Sequence, residues 1–307
     1  MRVARGWTLA GAAAVALVVG CGVGERQAGL QPDGGPPTGC ASGLCAVPPG
    51  AFVMGSPEDE SCRAADETPH QVVLTRGFFM SQTEIRQADF AALMGYNPSK
   101  YGACGDDCPV EMVYWDEAAA YANARSDADG LPRCYACTAT PAGNPPTCTV
   151  APALDAAGTS IYACAGWRLP TEAEFEYAYR GGATTALYSG ALGSCDGSDP
   201  AADAISWYWG DSTEDGGPHA AGLKTPNALG LYDMAGNVAE WVHDGDQVWS
   251  GDPVTDPVAP PSSEGRHGLR GGSWQYSAAA LRAASRQVES GRDARGYWGF
   301  RVVRTFP

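Results

Sequence analysis

The sequence predicts an irregular α+β domain with little regular secondary structure, in which loops carry much of the chain. Helical patterns are few, and the clearest cover residues 116–125 and 171–180. The strand-like apolar runs are short. From Ala183 onward aromatic residues and glycines dominate, and glycine supplies 40 of the 307 residues. Glycine at this density favours turns over long elements.

The N-terminus has the features of a bacterial lipoprotein signal peptide. Arg2 and Arg5 precede an apolar run over 7–19 that is too short to span a membrane. Val18-Val19-Gly20-Cys21 then fits a lipobox, so residues 1–20 are predicted to be removed and Cys21 to carry the lipid that anchors the chain to a membrane. The alternative is an ordinary signal peptide with a coincidental cysteine. The predicted location is the bacterial cell envelope, and Gly22 after the cysteine favours the outer membrane.

Residues 21–44 are rich in glycine and proline, which predicts a tether. Residues 45–307 then suit a single domain, because no internal repeat and no second linker is visible. The formal charge is −15, and loss of Arg2 and Arg5 with the signal peptide makes it −17. Nucleic-acid phosphates require a basic surface, so we expect no nucleic-acid partner.

Ten cysteines follow Cys21, and an even set in an exported chain predicts disulfides. Two pairs, Cys40 with Cys45 and Cys104 with Cys108, are near enough in sequence to close small loops, although sequence alone does not fix the pairing. A zinc site or a redox motif within four later cysteines is the alternative. Their spacing is irregular and offers no second Cys-x-x-Cys, which argues against zinc. These four are Cys134, Cys137, Cys148 and Cys164.

The domain is predicted to begin with short strands and two helices. One strand covers 50–56, and 69–81 holds two strand pieces. A first helix is expected over 89–94. The second, over 116–125, is rich in alanine and begins with Asp116 as its capping residue.

A cysteine-rich insertion over 131–165 precedes the best-defined helix. Thr171 and Glu174 form a capping box and Gly181 supplies the C-terminal stop, which predicts a helix over 171–180. Glu172, Glu174 and Glu176 could be read as acid and base groups. Glutamates in a first turn more often cap the helix and interact with its dipole, and we adopt that interpretation.

The stretch 227–241 combines glycines with acidic side chains. Gly230 and Gly236 interrupt an apolar run, and Asp233 and Glu240 lie on either side of the second glycine. Carboxylates and backbone carbonyls around a tight bend are the donors that hard cations prefer. A simple turn between two strands is the alternative.

Five motifs together resemble the formylglycine-generating-enzyme (sulfatase-modifying-factor) family. Their order matches that of the family and they span the chain after the tether. They are Phe52-Val-Met-Gly-Ser56, 168–177 (Arg-Leu-Pro-Thr-Glu-Ala-Glu-Phe-Glu-Tyr), 230–241 (Gly-Leu-Tyr-Asp-Met-Ala-Gly-Asn-Val-Ala-Glu-Trp), Arg270-Gly-Gly-Ser-Trp274 and Gly299-Phe-Arg301. The resemblance implies the family's irregular α+β fold, which is related to the C-type lectin fold.

The resemblance also implies a structural calcium site. It maps the ligands onto the side chains of Asp233 and Glu240 and the carbonyl groups of Gly236 and Val238. Two carboxylates and two carbonyls suit Ca²⁺. A second family site would lie near 204–217, where no alignment is possible.

The copper site of the family is expected to be absent. Formylglycine-generating enzymes bind Cu(I) through two cysteines that follow the Gly-Gly-Ser run, and soft thiolates are what Cu(I) requires. Tyr276 and Leu281 occupy those positions, and no cysteine follows Cys195. Copper-dependent formylglycine formation is therefore not expected, and no catalytic residue is assigned.

Related sulfoxide synthases bind iron through histidines supplied largely by an additional N-terminal helical domain, for which we expect no counterpart in this sequence. Its four histidines are scattered without metal-site spacing, and each is read as a surface or hydrogen-bonded residue; they are His70, His219, His243 and His267. A periplasmic group that oxidises siderophore chromophores also lacks the cysteines and remains open.

Two functions follow from the resemblance. One is an atypical oxidoreductase without sulfatase-activating activity. The alternative is a calcium-stabilised, lectin-like module that binds an unknown peptide, glycan or small molecule through aromatic rings and hydrogen-bond donors. The candidate ligand residues are Ser273, Trp274, Gln275, Tyr276, Arg282 and Arg286. For Trp274 and Arg286, roles in the core and in salt bridges are the competing interpretation.

Overall fold

The computed structural model describes Met1 and residues 37–138, 145–151, 154, 160–210, 216–260 and 262–307. The predicted signal peptide, Cys21 and most of the predicted tether lie outside this part of the chain, as does part of the expected second calcium region. Within it, no helix combines the length and apolarity needed to cross a membrane.

Among the described residues, short strands alternate with four α-helices. The helices are α1 (Gln87–Met94), α2 (Trp115–Ala128), α3 (Glu172–Arg180) and α4 (Pro200–Asp203). The strands are β1 (Cys40–Ala41), β2 (Leu44–Val47), β3 (Gly50–Met54), β4 (His70–Leu74), β5 (Phe78–Ser81), β6 (Tyr135–Thr138), β7 (Thr147–Val150), β8 (Ala239–Trp241), β9 (Val254–Thr255), β10 (Arg266–Arg270), β11 (Arg286–Ser290), β12 (Trp298–Gly299) and β13 (Val303–Thr305). The prediction of an irregular α+β domain is confirmed.

The strands form two four-stranded sheets, one three-stranded sheet and one hairpin among the described residues. The first sheet has the order β1-β2-β5-β13, and the second has the order β11-β10-β8-β12. In the second sheet Glu240 of β8 lies between Arg270 of β10 and Gly299 of β12, which explains why its side chain is buried. Strands from the beginning and the end of the described domain, β1 and β13, belong to the same sheet.

Helix α3 follows the sequence prediction closely. The hydroxyl of Thr171 accepts the N–H of Glu174 at 3.1 Å, and the Glu174 carboxylate accepts the N–H of Thr171 at 2.9 Å. Gly181 ends the helix at φ 51°, in the left-handed region. Glu174 caps the helix as expected, whereas Glu172 and Glu176 are buried in ion pairs with Arg286 and Arg270, which the capping interpretation did not include.

Two predicted details differ. The first sheet starts at Cys40, so the domain begins several residues before the expected boundary at 45; pairing of Cys40 with Cys45 folds this segment back onto β2. Asp116 does not cap α2, because the Glu117 carboxylate accepts the N–H of Tyr114 at 3.1 Å instead. Asp116 accepts the N–H of Cys148, in strand β7, at 2.8 Å.

All ten cysteines that follow Cys21 form disulfides, which confirms the disulfide prediction and rules out the zinc alternative. Both predicted short loops are closed, and the insertion is cross-linked twice. The pairs are Cys40–Cys45, Cys62–Cys195, Cys104–Cys108, Cys134–Cys164 and Cys137–Cys148.

Candidate functional site

The stretch 227–241 forms a sequence of tight bends that ends in strand β8. Asp233 and Asn237 adopt φ values of 52° and 56°, in the left-handed region that side chains rarely occupy. At Gly236 a Cβ atom would lie 2.4 Å from the carbonyl oxygen of Trp207, so only glycine fits there. This backbone holds Asp233 and Glu240 in the interior.

Glu240 is held by Arg301, from the Gly-Phe-Arg motif. The Nε and Nη2 atoms of Arg301 each donate to the Glu240 carboxylate at 2.7 Å. Arg301 also donates to the carbonyl oxygens of Tyr232 and Asp233. Both partners of the ion pair are completely buried. Two of the family motifs, 61 residues apart, therefore form one structural unit.

A third carboxylate, Glu84, belongs to the same cluster and was missed by the sequence analysis. Glu84 and Asp233 are each 1% exposed. Burial, followed by the charges of Asp233 and Glu240, raises the pKa of Glu84 well above its ordinary range. Glu84 precedes helix α1 in the polar stretch Gln82-Thr83-Glu84, and nothing in this stretch distinguishes it from a surface carboxylate.

Two oxygen atoms of this cluster have no hydrogen-bond partner among the described residues. They are Oδ1 of Asp233 and Oε2 of Glu84. The other oxygen of Asp233 accepts the N–H of Gly222 at 2.6 Å. Three buried carboxylates thus face a single guanidinium, and burying uncompensated charge is costly.

The donor set fits a divalent hard cation on chemical grounds. No group of three or more histidine, cysteine, aspartate or glutamate side chains within the described ranges is arranged to hold a metal ion. The expected calcium site does not require such a group, because two of its four ligands are backbone carbonyls. Oδ1 of Asp233, which is buried without a hydrogen-bond partner among the described residues, is an oxygen donor of the kind that such a cation binds.

The two positions where the family has copper ligands carry no ligand for copper. Leu281 is completely buried in the core. The hydroxyl of Tyr276 accepts a hydrogen bond from Nε1 of Trp298 at 3.3 Å. Since every cysteine among the described residues is in a disulfide, none of them offers a thiolate.

Around Tyr276 five aromatic side chains are partly or largely exposed, and we name this group the aromatic surface. Tyr276 and Tyr297 meet at 5.5 Å between ring centroids, and Tyr101 and Trp274 also meet at 5.5 Å. The N–H of Trp209 donates to the carbonyl of Tyr276, and the Trp209 side chain is 58% exposed. The aromatic surface consists of Tyr101, Trp209, Trp274, Tyr276 and Tyr297.

The remaining candidate ligand residues divide into two groups. Gln275 is exposed beside the aromatic surface, whereas Ser273 is buried and its hydroxyl accepts the N–H of Gln275. The expectation that Arg282 and Arg286 face a ligand is not supported, because both guanidinium groups are buried in ion pairs. Arg282 binds Glu60 and Glu67, and Arg286 binds Glu172.

The chain matches a family model and proteins of known name. The model "Sulfatase-modifying factor enzyme 1-like domain" matches residues 36–306. Chaperone protein LppX of Paenibacillus barcinonensis is 31% identical over 248 residues, which are 74% of this chain and 80% of that protein. The formylglycine-generating enzyme of Streptomyces coelicolor is 30% identical over 287 residues, covering 85% and 88% of the two chains.

A solved structure shares the fold. Treponema denticola variable protein 1 superposes with a TM-score of 0.68 and is 28% identical, covering 85% of this chain and 94% of that one. The five sequence motifs, the Glu240–Arg301 unit that two of them build, and the match over 36–306 agree with one another. The chain belongs to the sulfatase-modifying-factor family, to which the formylglycine-generating enzymes also belong.

Proposed function

We propose that this protein is a lipid-anchored binding module of the bacterial cell envelope, which recognises a peptide or glycan through the aromatic surface. The observation that carries this proposal is the replacement of the two copper cysteines by Tyr276 and Leu281. One of them contributes a ring to the aromatic surface, and the other fills the core. At the positions where the family binds its catalytic copper, this chain therefore has side chains suited to packing and to contact with a ligand.

The composition of the aromatic surface supports recognition by stacking. Indole and phenol rings offer large rigid faces together with a polar group, and such side chains dominate the energy of binding surfaces. Gln275 adds a donor and an acceptor at the edge. One relative is named a chaperone, and chaperones bind polypeptides, which agrees with a binding role for this chain.

Trp209→Ala tests the binding proposal most directly, because the backbone N–H of Trp209 keeps its hydrogen bond in this variant. Peptide and glycan panels with the wild-type protein would identify a ligand, and calorimetry would measure its affinity. We expect Trp209→Ala to weaken binding about tenfold or more, since truncating an aromatic residue that contacts the ligand costs about 2 kcal/mol. Leu223→Ala is the control, because Leu223 is 64% exposed and lies outside the aromatic surface. Equal affinity in wild type and Trp209→Ala contradicts the proposal.

An atypical oxidoreductase is the second candidate, because a formylglycine-generating enzyme is a relative over most of both chains. An oxidoreductase would convert a substrate, whereas a binding module would bind its ligand without converting it. A sulfatase-motif peptide incubated with the protein, O₂ and Cu(I) should keep its cysteine unmodified by mass spectrometry. Formation of formylglycine would overturn the binding proposal, as would sustained O₂ consumption with another substrate.

We further propose that Asp233, Gly236, Val238 and Glu240 hold a structural calcium ion. Removing calcium with a chelator should lower the melting temperature, since a ligand bound only by the folded state stabilises it by about 2.7 kcal/mol at 100 times Kd. Asp233→Asn and Glu240→Ala should abolish the rise produced by added Ca²⁺. Glu60→Gln is the control, because Glu60 binds Arg282 and not this cluster. A full calcium-induced rise in Asp233→Asn and Glu240→Ala contradicts the assignment.

We propose lipidation of Cys21 from the sequence of the predicted signal peptide alone. Metabolic labelling with a lipid analogue should mark the wild-type protein and not Cys21→Ser, and the variant should leave the membrane fraction. Labelling that survives Cys21→Ser excludes lipidation at this position.

A further inference from the structure

A cavity of about 400 Å³ lies between the start of helix α2, strand β7, strand β10 and the turn after β11. This volume is within the range of pockets that hold small molecules. The cavity shares no lining residue with the aromatic surface and none with the carboxylate cluster. The proposed function gives it no role.

The floor of the cavity is aromatic, rigid and uncharged. The rings of Trp115 and His267 stack with their centroids 3.8 Å apart. The Nε1 of Trp115 donates to the carbonyl of Val242 at 2.8 Å, which fixes the plane of the indole ring. His243 lies beside them, with its Nδ1 3.2 Å from the hydroxyl of Tyr135. Burial lowers the pKa of His243 to about 3 and the pKa of His267 to about 4, so neither imidazole is charged at neutral pH.

Two side chains of opposite charge line the same cavity. One oxygen of the Asp116 carboxylate accepts the N–H of Cys148, and the carboxylate forms no ion pair among the described residues. Arg292 is exposed, and its guanidinium likewise binds no carboxylate within 4 Å among these residues. Burial raises the pKa of the Asp116 carboxyl, and the hydrogen bond from Cys148 and the charge of Arg292, which lines the same cavity, oppose this rise. Both groups are therefore available to a ligand.

We propose that this cavity binds a free α-amino acid with an apolar or aromatic side chain. Arg292 pairs with the ligand carboxylate, Asp116 pairs with its ammonium group, and the side chain packs on Trp115 and His267. A zwitterion suits this pair of charges better than a simple ion does. An anion would be repelled by Asp116 and a cation by Arg292, whereas a zwitterion satisfies both.

Calorimetry with the full-length protein and three related compounds tests the ligand class. L-Phenylalanine carries both charges, phenethylamine lacks the carboxylate and 3-phenylpropanoate lacks the ammonium group. We expect saturable binding of L-phenylalanine and affinity at least about tenfold lower for the other two, because each loses a charge-assisted contact. No binding of L-phenylalanine, or equal binding of either analogue, overturns the proposal.

Two conservative variants test the residues. Arg292→Gln and Asp116→Asn should each weaken L-phenylalanine binding about tenfold or more. The amide of Asp116→Asn can still accept the N–H of Cys148, so the fold is retained. Arg295→Gln is the control, since Arg295 is 52% exposed in the same loop and does not line the cavity. Unaltered melting temperatures with unaltered affinity in both variants would show that these charges do not bind the ligand.

Discussion

Four arginine side chains among the described residues are at most 2% exposed, and each is paired with a buried glutamate. A buried guanidinium is tolerated only when its charge and donors are satisfied. The pairs are Arg168–Glu174, Arg270–Glu176, Arg282–Glu67 and Arg301–Glu240. Because these charged side chains bind one another in the interior, they do not contact a ligand at the surface.

Arg282→Ala should destabilise the domain strongly. The substitution leaves Glu67, which is 3% exposed, with the hydroxyl of Ser56 as its remaining side-chain partner. Removing one partner of a buried pair costs about 3–5 kcal/mol. Urea denaturation measures the change, and Arg133→Ala serves as a control. Arg133 pairs with Asp127 at the surface, where such pairs contribute about 1 kcal/mol or less. Equal losses in the two variants contradict this account.

Glu111 makes the stability of the protein depend on pH. Burial raises the pKa of Glu111 from 4.5 to about 7, against the opposing hydrogen bond from the N–H of Tyr101. The folded state therefore holds a proton that the unfolded state releases at lower pH. The stability contributed by the protonated group is full below pH 4.5 and is lost as the pH rises to 7.

Glu111→Gln should remove this dependence. We expect the free energy of unfolding of the wild type, relative to that of the variant, to fall by on the order of 1–3 kcal/mol between pH 5 and pH 8. Urea denaturation at the two pH values measures it. A constant difference between the proteins would show that Glu111 does not titrate in this range.

At the scale of elements, the disulfides differ greatly in the length of chain they close. Cys62–Cys195 joins residues 133 apart, and Cys104–Cys108 joins residues 4 apart. A longer closed loop restricts the unfolded chain more. Replacing both cysteines of the first pair by serine should lower the free energy of unfolding by about 5 kcal/mol, against about 2 kcal/mol for the second pair. Unfolding of the two double variants under non-reducing conditions measures this, and a larger loss from the short loop contradicts it.

The elements that sequence predicted well are those whose determinants are local. The capping box of α3 requires only Thr171 and Glu174, three residues apart, and the two short disulfide loops needed only proximity along the chain. The ion pair of Arg282 with Glu67 joins residues 215 apart, and no pattern in the sequence indicates it. Arg282 was therefore assigned to the ligand surface when it belongs to the interior.

In the candidate site too, contacts between residues distant in sequence could not be predicted. Asp233 and Glu240 could be identified because they belong to one recognisable motif. Glu84 is distant from both in sequence, and its carboxylate accepts the N–H of Val238, 154 residues away, at 3.5 Å. His243 and His267 were read as scattered, yet the pairing of β8 with β10 brings the segments that carry them together around Trp115. Proximity of this kind arises only from the sheet topology.

At the scale of the whole molecule, the family motifs identify the fold more firmly than the activity. The Gly-Phe-Arg motif and the stretch 230–241 are used to build the interior, where Arg301 and Glu240 meet. At the positions of the family's copper ligands this chain has Tyr276 on the aromatic surface and Leu281 in the core, and the architecture of the family is retained. Function can therefore diverge at these positions while the frame is retained.

Cys62 and Cys195 also constrain how the protein is made. Six cysteines lie between Cys62 and Cys195 along the chain, and none of them is the partner of Cys62. An oxidase that joins cysteines in their order of arrival would link Cys62 to the wrong residue. Correct maturation therefore depends on thiol–disulfide exchange after Cys195 has arrived. A host without a disulfide isomerase should accumulate mispaired protein, visible as extra bands on a non-reducing gel.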